Sequence, residues 1–363
     1  ESVGFPLMHQ KKRLQELEER LRRATQEIAE AASQWQQVIL AYGAQPIQKM
    51  DPESLTHIYH YFSLLRKLKE GYCYQGVQAK GNIYLSVNRG ELLDLFNLGH
   101  ILSPVFLFFS ANSIVLNNET SYRPSGRLYH QSQLQVGDGR WQMIDSPYSG
   151  IDEWIFHLFY QPHLLLKDPE GWLDPAQGYF AEYCQGKTAL EVWDDFVDHR
   201  STLWTAAQPK PEEGVLQFNE IEQGGIEQQL ALSALALGLA DAGKEVVQWL
   251  EDLVPDPPPK RGFGLWPEDI LRKNLAYRKD PWTPLHQYWM DIIQRSKMEE
   301  PFSGLLEGCL DLADRALIAR GFGEESYLQP LRHRLMQKEA PHLELQRIWL
   351  RSGIKAFVEH LAI

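Results

Sequence analysis

The chain has 363 residues, with 36 basic and 48 acidic side chains and a net charge of −12. That acidic balance argues against nucleic acid or an anionic membrane as the main partner, and the expected partners are small molecules. The longest apolar runs, around Ile101–Phe109 and Leu230–Ala240, are too short to cross a bilayer. Cys73, Cys184 and Cys309 stand far apart without CxxC or metal spacing, so a reducing cytoplasm is the expected setting.

Taken in chain order, the first residues resemble neither a signal nor a transit peptide, and no methionine opens the chain. Residues 10–42 carry the clearest helical period, through Leu14, Leu17, Leu21, Ala24, Ile28, Ala31, Trp35, Val38 and Tyr42, with Gly43 as the expected stop. A second helix is expected from Asp51-Pro52-Glu53, with Asp51 as cap. Residues 76–87 read as a strand. Glu91 to Ser110 reads as an apolar helix bent near Pro104. Gly137-Asp138-Gly139 is a turn between short strands. Helix is expected over 151–160 and 190–204, and strand over Pro162–Lys167. Gly214–Glu222 reads as a strand running into Gly224-Gly225, followed by an apolar helix over Ile226–Ala240 that is buried all round. Pro255 to Pro259 breaks the chain. Beyond it lie helices over Pro267–Leu275, Pro284–Gln294, Phe302–Arg320, Glu324–Gln337 and His342–His360. The picture is α+β, with an antiparallel sheet in the first two-thirds and helices in the last third.

Side chains alternate across a strand, so Glu220 and Glu222 share one face of the Gly214–Glu222 segment. Two adjacent carboxylates at a strand end suit a divalent cation. For Glu220 a structural hydrogen bond to the following turn is an equal alternative. His57 and His60 lack a third ligand and read as packing residues. The loop Lys260-Arg261-Gly262 reads as solvated linker. Cys73 and Cys184 read as buried thiols, and Glu191, Asp194, Asp195 and Asp198 as a solvated helix face.

Several segments together resemble the plant and proteobacterial glutamate–cysteine ligases. Glu1-Ser2-Val3-Gly4-Phe5-Pro6-Leu7 is similar to that family's E-L-S-G-A-P-L. Ser110-Ala111-Asn112-Ser113 is similar to its F-A-N-S, and Pro124-Ser125-Gly126 to its P-N-G. Ala319-Arg320-Gly321-Phe322 and Tyr327-Leu328 are similar to its R-R-G-Y and F-L. The resemblance implies a glutamine-synthetase-like antiparallel sheet covered by helices. On that reading residues 1–253 form the ligase core, 254–262 a Pro-rich linker and 263–363 a helical C-terminal region. The family's first strand, with G-x-E-x-E, is expected upstream of Glu1.

The activity implied is ATP- and Mg²⁺-dependent joining of a carboxylate to an amine through an acyl phosphate, as in glutathione biosynthesis, with amino-acid substrates. By position, Glu1 and Glu220 are the implied Mg²⁺ ligands. Gln131, Gln217 and Glu222 stand where the family carries arginines. Glu222 is thus placed to face the nucleotide, with its charge inverted, which is tolerable if it binds metal or turns away. Gln131 and Gln217 are placed to recognise an amide or hydroxyl of the substrate, or to hold a relic pocket together. These exchanges open two expectations: a ligase with altered substrate preference, or a catalytically inactive homologue that binds or regulates.

Overall fold

The computed structural model describes residues 13–47, 79–116, 118–121, 123–129, 141–142, 147–163, 167–168, 171–172, 178–210, 213–253 and 303–363. Expectations for Glu1, His57, His60, Cys73, Gln131, the 51–55 and 137–139 segments and the stretch 254–302 lie outside them. The described chain mixes helices with small sheets, an α+β arrangement.

Helix α1, Leu14–Gln34, follows the predicted period but stops eight residues early. Trp35 caps it and Gln36 takes a left-handed backbone (φ 54°). The apolar stripe meets the core only at its start. Leu14 is buried, whereas Ile28 is 50% and Trp35 77% exposed. Tyr42 continues the spacing in the sequence, yet it packs edge-on to Phe357 in a separate small cluster.

Strand β1, Ile83–Ser86, precedes helices α2, Leu92–Ile101, and α3, Ser103–Ser110. The two helices meet at a 53° bend, with Pro104 in the first turn of α3, as the proline position predicts. Strands β2, Val115–Leu116, and β3, Glu119–Thr120, form a small antiparallel pair. β4, Trp141–Gln142, is followed by α4, Ile151–Phe159. β5, Lys167–Asp168, and β6, Gly171–Trp172, pair next. Of the strand expected over 162–167, Lys167 opens β5 and Pro162 makes an isolated bridge to Tyr179, while 164–166 lie outside the described residues. Helices α5, Phe180–Tyr183, and α6, Ala189–Thr202, lead to β7, Trp204–Thr205, which pairs parallel to β4. Asp195 departs from the solvated reading of its helix face. It accepts the Tyr183 hydroxyl at 2.6 Å.

Strands β8, Ala207–Lys210, and β9, Val215–Phe218, complete a three-stranded antiparallel sheet in the order β1-β9-β8. Ile83, Phe218 and Ala207 stand in one row across it, and Leu85, Leu216 and Pro209 in the next. The apolar face so formed packs beneath α2 and α7. Pro209 lies on an edge strand, where its missing N–H leaves no ladder partner unsatisfied.

Helix α7, Ile226–Asp241, is buried continuously from Leu230 to Leu239. Helix α8, Gly243–Leu253, had no sequence expectation. After residue 302 come α9, Ser303–Arg320, a 3₁₀ turn over Glu324–Leu328, α10, Gln329–Met336, and α11, Pro341–Leu361, which is interrupted at Gly353 (φ 70°). α9 lies along α7, and Leu306, Cys309, Leu310 and Ala313 join the same apolar core as Leu235 and Phe106. No single described helix is long and apolar enough to cross a membrane.

Candidate functional site

The Gly214–Gly225 segment does not stay in the sheet to its end. The ladder stops at Phe218, and pairing resumes only as a single bridge between Glu222 and Lys80. The Gly81 N–H donates to the Ile221 carbonyl at 2.8 Å, which keeps the chain beside the residues before β1. Glu220 and Glu222 are carried in this way into the protein interior, where they are 2% and 0% exposed.

Glu222 reaches the loop that follows α3. That helix ends at Ser110 because Ala111 turns out of helical geometry (φ −55°, ψ 116°). The next two amides point away from the helix. Asn112 N–H and Ser113 N–H donate to Glu222 Oε2 at 2.5 and 2.7 Å. The Ser113 hydroxyl donates to Oε1 at 2.6 Å, and the Ser125 hydroxyl donates to the same oxygen. Arg127 Nε stands 3.5 Å from Oε1. Two main-chain amides, two hydroxyls and a guanidinium therefore surround one carboxylate, close to its full acceptor capacity.

The surrounding loop is fixed by the same side chains. Ser113 Oγ accepts the Arg127 amide at 3.0 Å, and Ser125 Oγ accepts the Leu128 amide at 3.1 Å. Each serine thus accepts a hydrogen bond from the helical turn at 126–129 and donates one to Glu222. Asn112 Oδ1 accepts the Gly43 amide at 2.8 Å, and its Nδ2 donates to the Gln223 carbonyl at 2.7 Å. A Cβ on Gly43 would lie 3.0 Å from the Glu222 carboxylate, so glycine forms that wall by necessity. The Gln229 amide ties down the Glu222 carbonyl at 3.0 Å.

Arg127 is 1% exposed. Burial lowers its pKa, while the nearby Glu222 and Glu220 carboxylates oppose that shift. An arginine holds its proton under such conditions, so the Arg127–Glu222 pair is ionic. Arg127 Nη2 also donates to the Glu220 carbonyl at 3.3 Å. Tyr42 lies close by; burial, reinforced by Glu222, holds its phenol well above the ordinary range.

Of the sequence candidates, the structure brings Glu220 and Glu222 to one hub and places Gln217 elsewhere. Gln217 stands on the sheet row with Tyr84 and Gln208, opposite the apolar face. Its amide donates to Asn219 Oδ1 at 2.6 Å, and Asn219 donates to the Thr205 carbonyl at 3.0 Å. Glu222 neither faces away nor opens toward a ligand. It is neutralised from within by residues that carbon-by-carbon alternation along the strand could not bring into view. Arg127 was not singled out in the sequence, although it directly follows the Pro124-Ser125-Gly126 segment.

Glu222 is not placed to bind a magnesium ion. Mg²⁺ takes oxygen lone pairs in near-octahedral array, whereas Glu222 here meets N–H and O–H protons and a guanidinium. Among the described residues no group of three or more His, Cys, Asp or Glu is placed to hold a metal ion. Of the thiols, Cys309 is buried, and burial pushes it far above its usual value. Cys184 is half-buried on an open groove of about 410 Å³ lined by Asp152, Phe156, Phe159 and Tyr160, and burial raises its pKa as well. Neither environment activates a nucleophile. No family model matches the chain, and no curated protein matches it either.

Proposed function

We propose that the chain is a non-catalytic relative of the glutamate–cysteine ligases, of glutamine-synthetase-like fold, that acts by binding or regulation. The observation that carries this reading is the burial of Glu222 under four hydrogen-bond donors and the Arg127 guanidinium, with Glu220 buried beside it. A ligase needs carboxylates open to Mg²⁺ and arginines open to phosphate. Here Arg127, the arginine at the hub among the described residues, faces Glu222. The meeting of the Ser110–Ser113 and Pro124–Gly126 segments around Glu222 supports the ancestry, because these two segments carry part of the resemblance.

The test is calorimetric titration of the purified protein with Mg-ATP, with phosphate release followed in the presence of glutamate and cysteine. The expected result is no saturable heat and no turnover. Saturable Mg²⁺-dependent ATP binding that is lost in Glu220→Gln would overturn the reading in favour of a ligase with altered substrate preference.

A further inference from the structure

The donors around Glu222 have a chemistry of their own, separate from the residue that fills them. Four N–H or O–H groups and a guanidinium converge from two separate segments, 112–113 and 125–127, on a space the size of one carboxylate. The segment that supplies the carboxylate also steadies that wall, since the Glu220 carbonyl accepts from Arg127 and the Gln223 carbonyl from Asn112. Gly43 closes the far side without a side chain. Ser113, Ser125 and Arg127 are each 1% exposed or less, and each serine is oriented by a main-chain amide that it accepts. Such a wall is what a protein builds to bind an anion.

We propose that Asn112, Ser113, Ser125 and Arg127 form a carboxylate-binding pocket, which the chain's own Glu222 plugs as a tethered ligand. Two amides on one oxygen and two hydroxyls on the other match a planar carboxylate, with Arg127 supplying charge beside the second oxygen. Glu220 offsets part of the Arg127 charge, so oriented donors, more than net charge, select the ligand. Truncation of Glu222 at Cβ removes one methylene and the carboxylate. Acetate has the same atoms and the same charge. The inference does not depend on ligase ancestry, and either outcome of the Mg-ATP titration leaves it standing.

The test uses Glu222→Ala with sodium acetate, and acetamide and sodium chloride as controls. Loss of the tethered carboxylate strips four donors of their acceptor and Arg127 of its nearest anion, so the melting temperature is expected to fall by roughly 5–10 °C. Tens of millimolar acetate should restore about half of that loss or more, rising with the logarithm of acetate concentration, by mass action on the folded state. Acetamide and chloride should not, and neither should acetate act on the wild-type protein or on Glu222→Gln, whose amide still fills the space. Adding Arg127→Met to Glu222→Ala should remove the acetate response. Should Glu222→Ala fail to fold in plain buffer, refolding yield in acetate against acetamide is the readout. A response shared by acetamide, by chloride or by the wild type overturns the proposal, as does no response to acetate.

Discussion

At the scale of single residues, buried polar groups fall into two kinds. Glu222 has its acceptors filled, whereas His342 is 3% exposed and neither ring nitrogen has a hydrogen-bond partner among the described residues. Burial pushes the His342 pKa down to about 4 from an ordinary value of 6.5. As the pH falls through 6.5 the unfolded chain takes up a proton that the folded protein refuses until about pH 4. The contribution of the neutral imidazole is therefore complete above pH 6.5 and is lost progressively below it. His100 and His163, pushed down to about 3 and about 4 by burial, act with the same sign. His342→Leu removes one share: between pH 7 and 5 it should lose about 2 kcal/mol less stability than the wild type. Denaturant titrations at the two pH values measure this, and equal losses in both proteins would show that His342 is not the buried neutral group described.

At the scale of elements, the helix crossing of α7 and α9 sets how close the layers lie. A Cβ on Gly238 would stand 2.6 Å from the Ala313 carbonyl oxygen and 2.7 Å from its Cα. These are backbone atoms, which cannot swing aside. Gly238→Ala should therefore cost about 1–3 kcal/mol, despite the higher helix propensity of alanine. A midpoint equal to or above that of the wild type in a chemical melt would sink this account of the crossing. The elements themselves were largely legible. α2–α3 with its bend, α4, α6, α7 and α9 follow from period, proline and apolar run. The end of α1 was not, because the apolar spacing continues past Gln34 while the residues carrying it serve different clusters. The candidate site was half legible. Alternation put Glu220 and Glu222 together, but the partners of Glu222 come from positions about 100 residues earlier in the chain, and no local spacing encodes such a contact. Glu222 reads as a bare carboxylate in one strand and as half of a matched pair once Arg127 is beside it.

At the scale of the whole molecule, the two ends of the described chain are joined by one buried anion. Glu324, in the 3₁₀ turn after α9, is fully buried. Its Oε1 accepts the Arg13 and Leu14 amides at 3.2 and 3.3 Å, so it caps the start of α1, where unpaired N–H groups favour negative charge. Its Oε2 pairs with Arg320 Nε at 2.8 Å, and Arg320 continues to Asp241 at the end of α7, also at 2.8 Å. A residue near the C-terminus thereby fixes the first described helix to the central one, and Tyr327 adds a hydroxyl bond to Glu18 at 2.6 Å. Glu324→Gln keeps the shape but weakens three charge-assisted contacts, the ion pair with Arg320 among them. The expected cost is about 2–3 kcal/mol of global stability. Amide exchange should quicken in the first turn of α1, and the denaturation midpoint should fall in a single transition. Exchange that quickens in α1 while the global midpoint holds would mean that α1 frays independently, and that the network joins a peripheral helix to the core without making it part of the same cooperative unit.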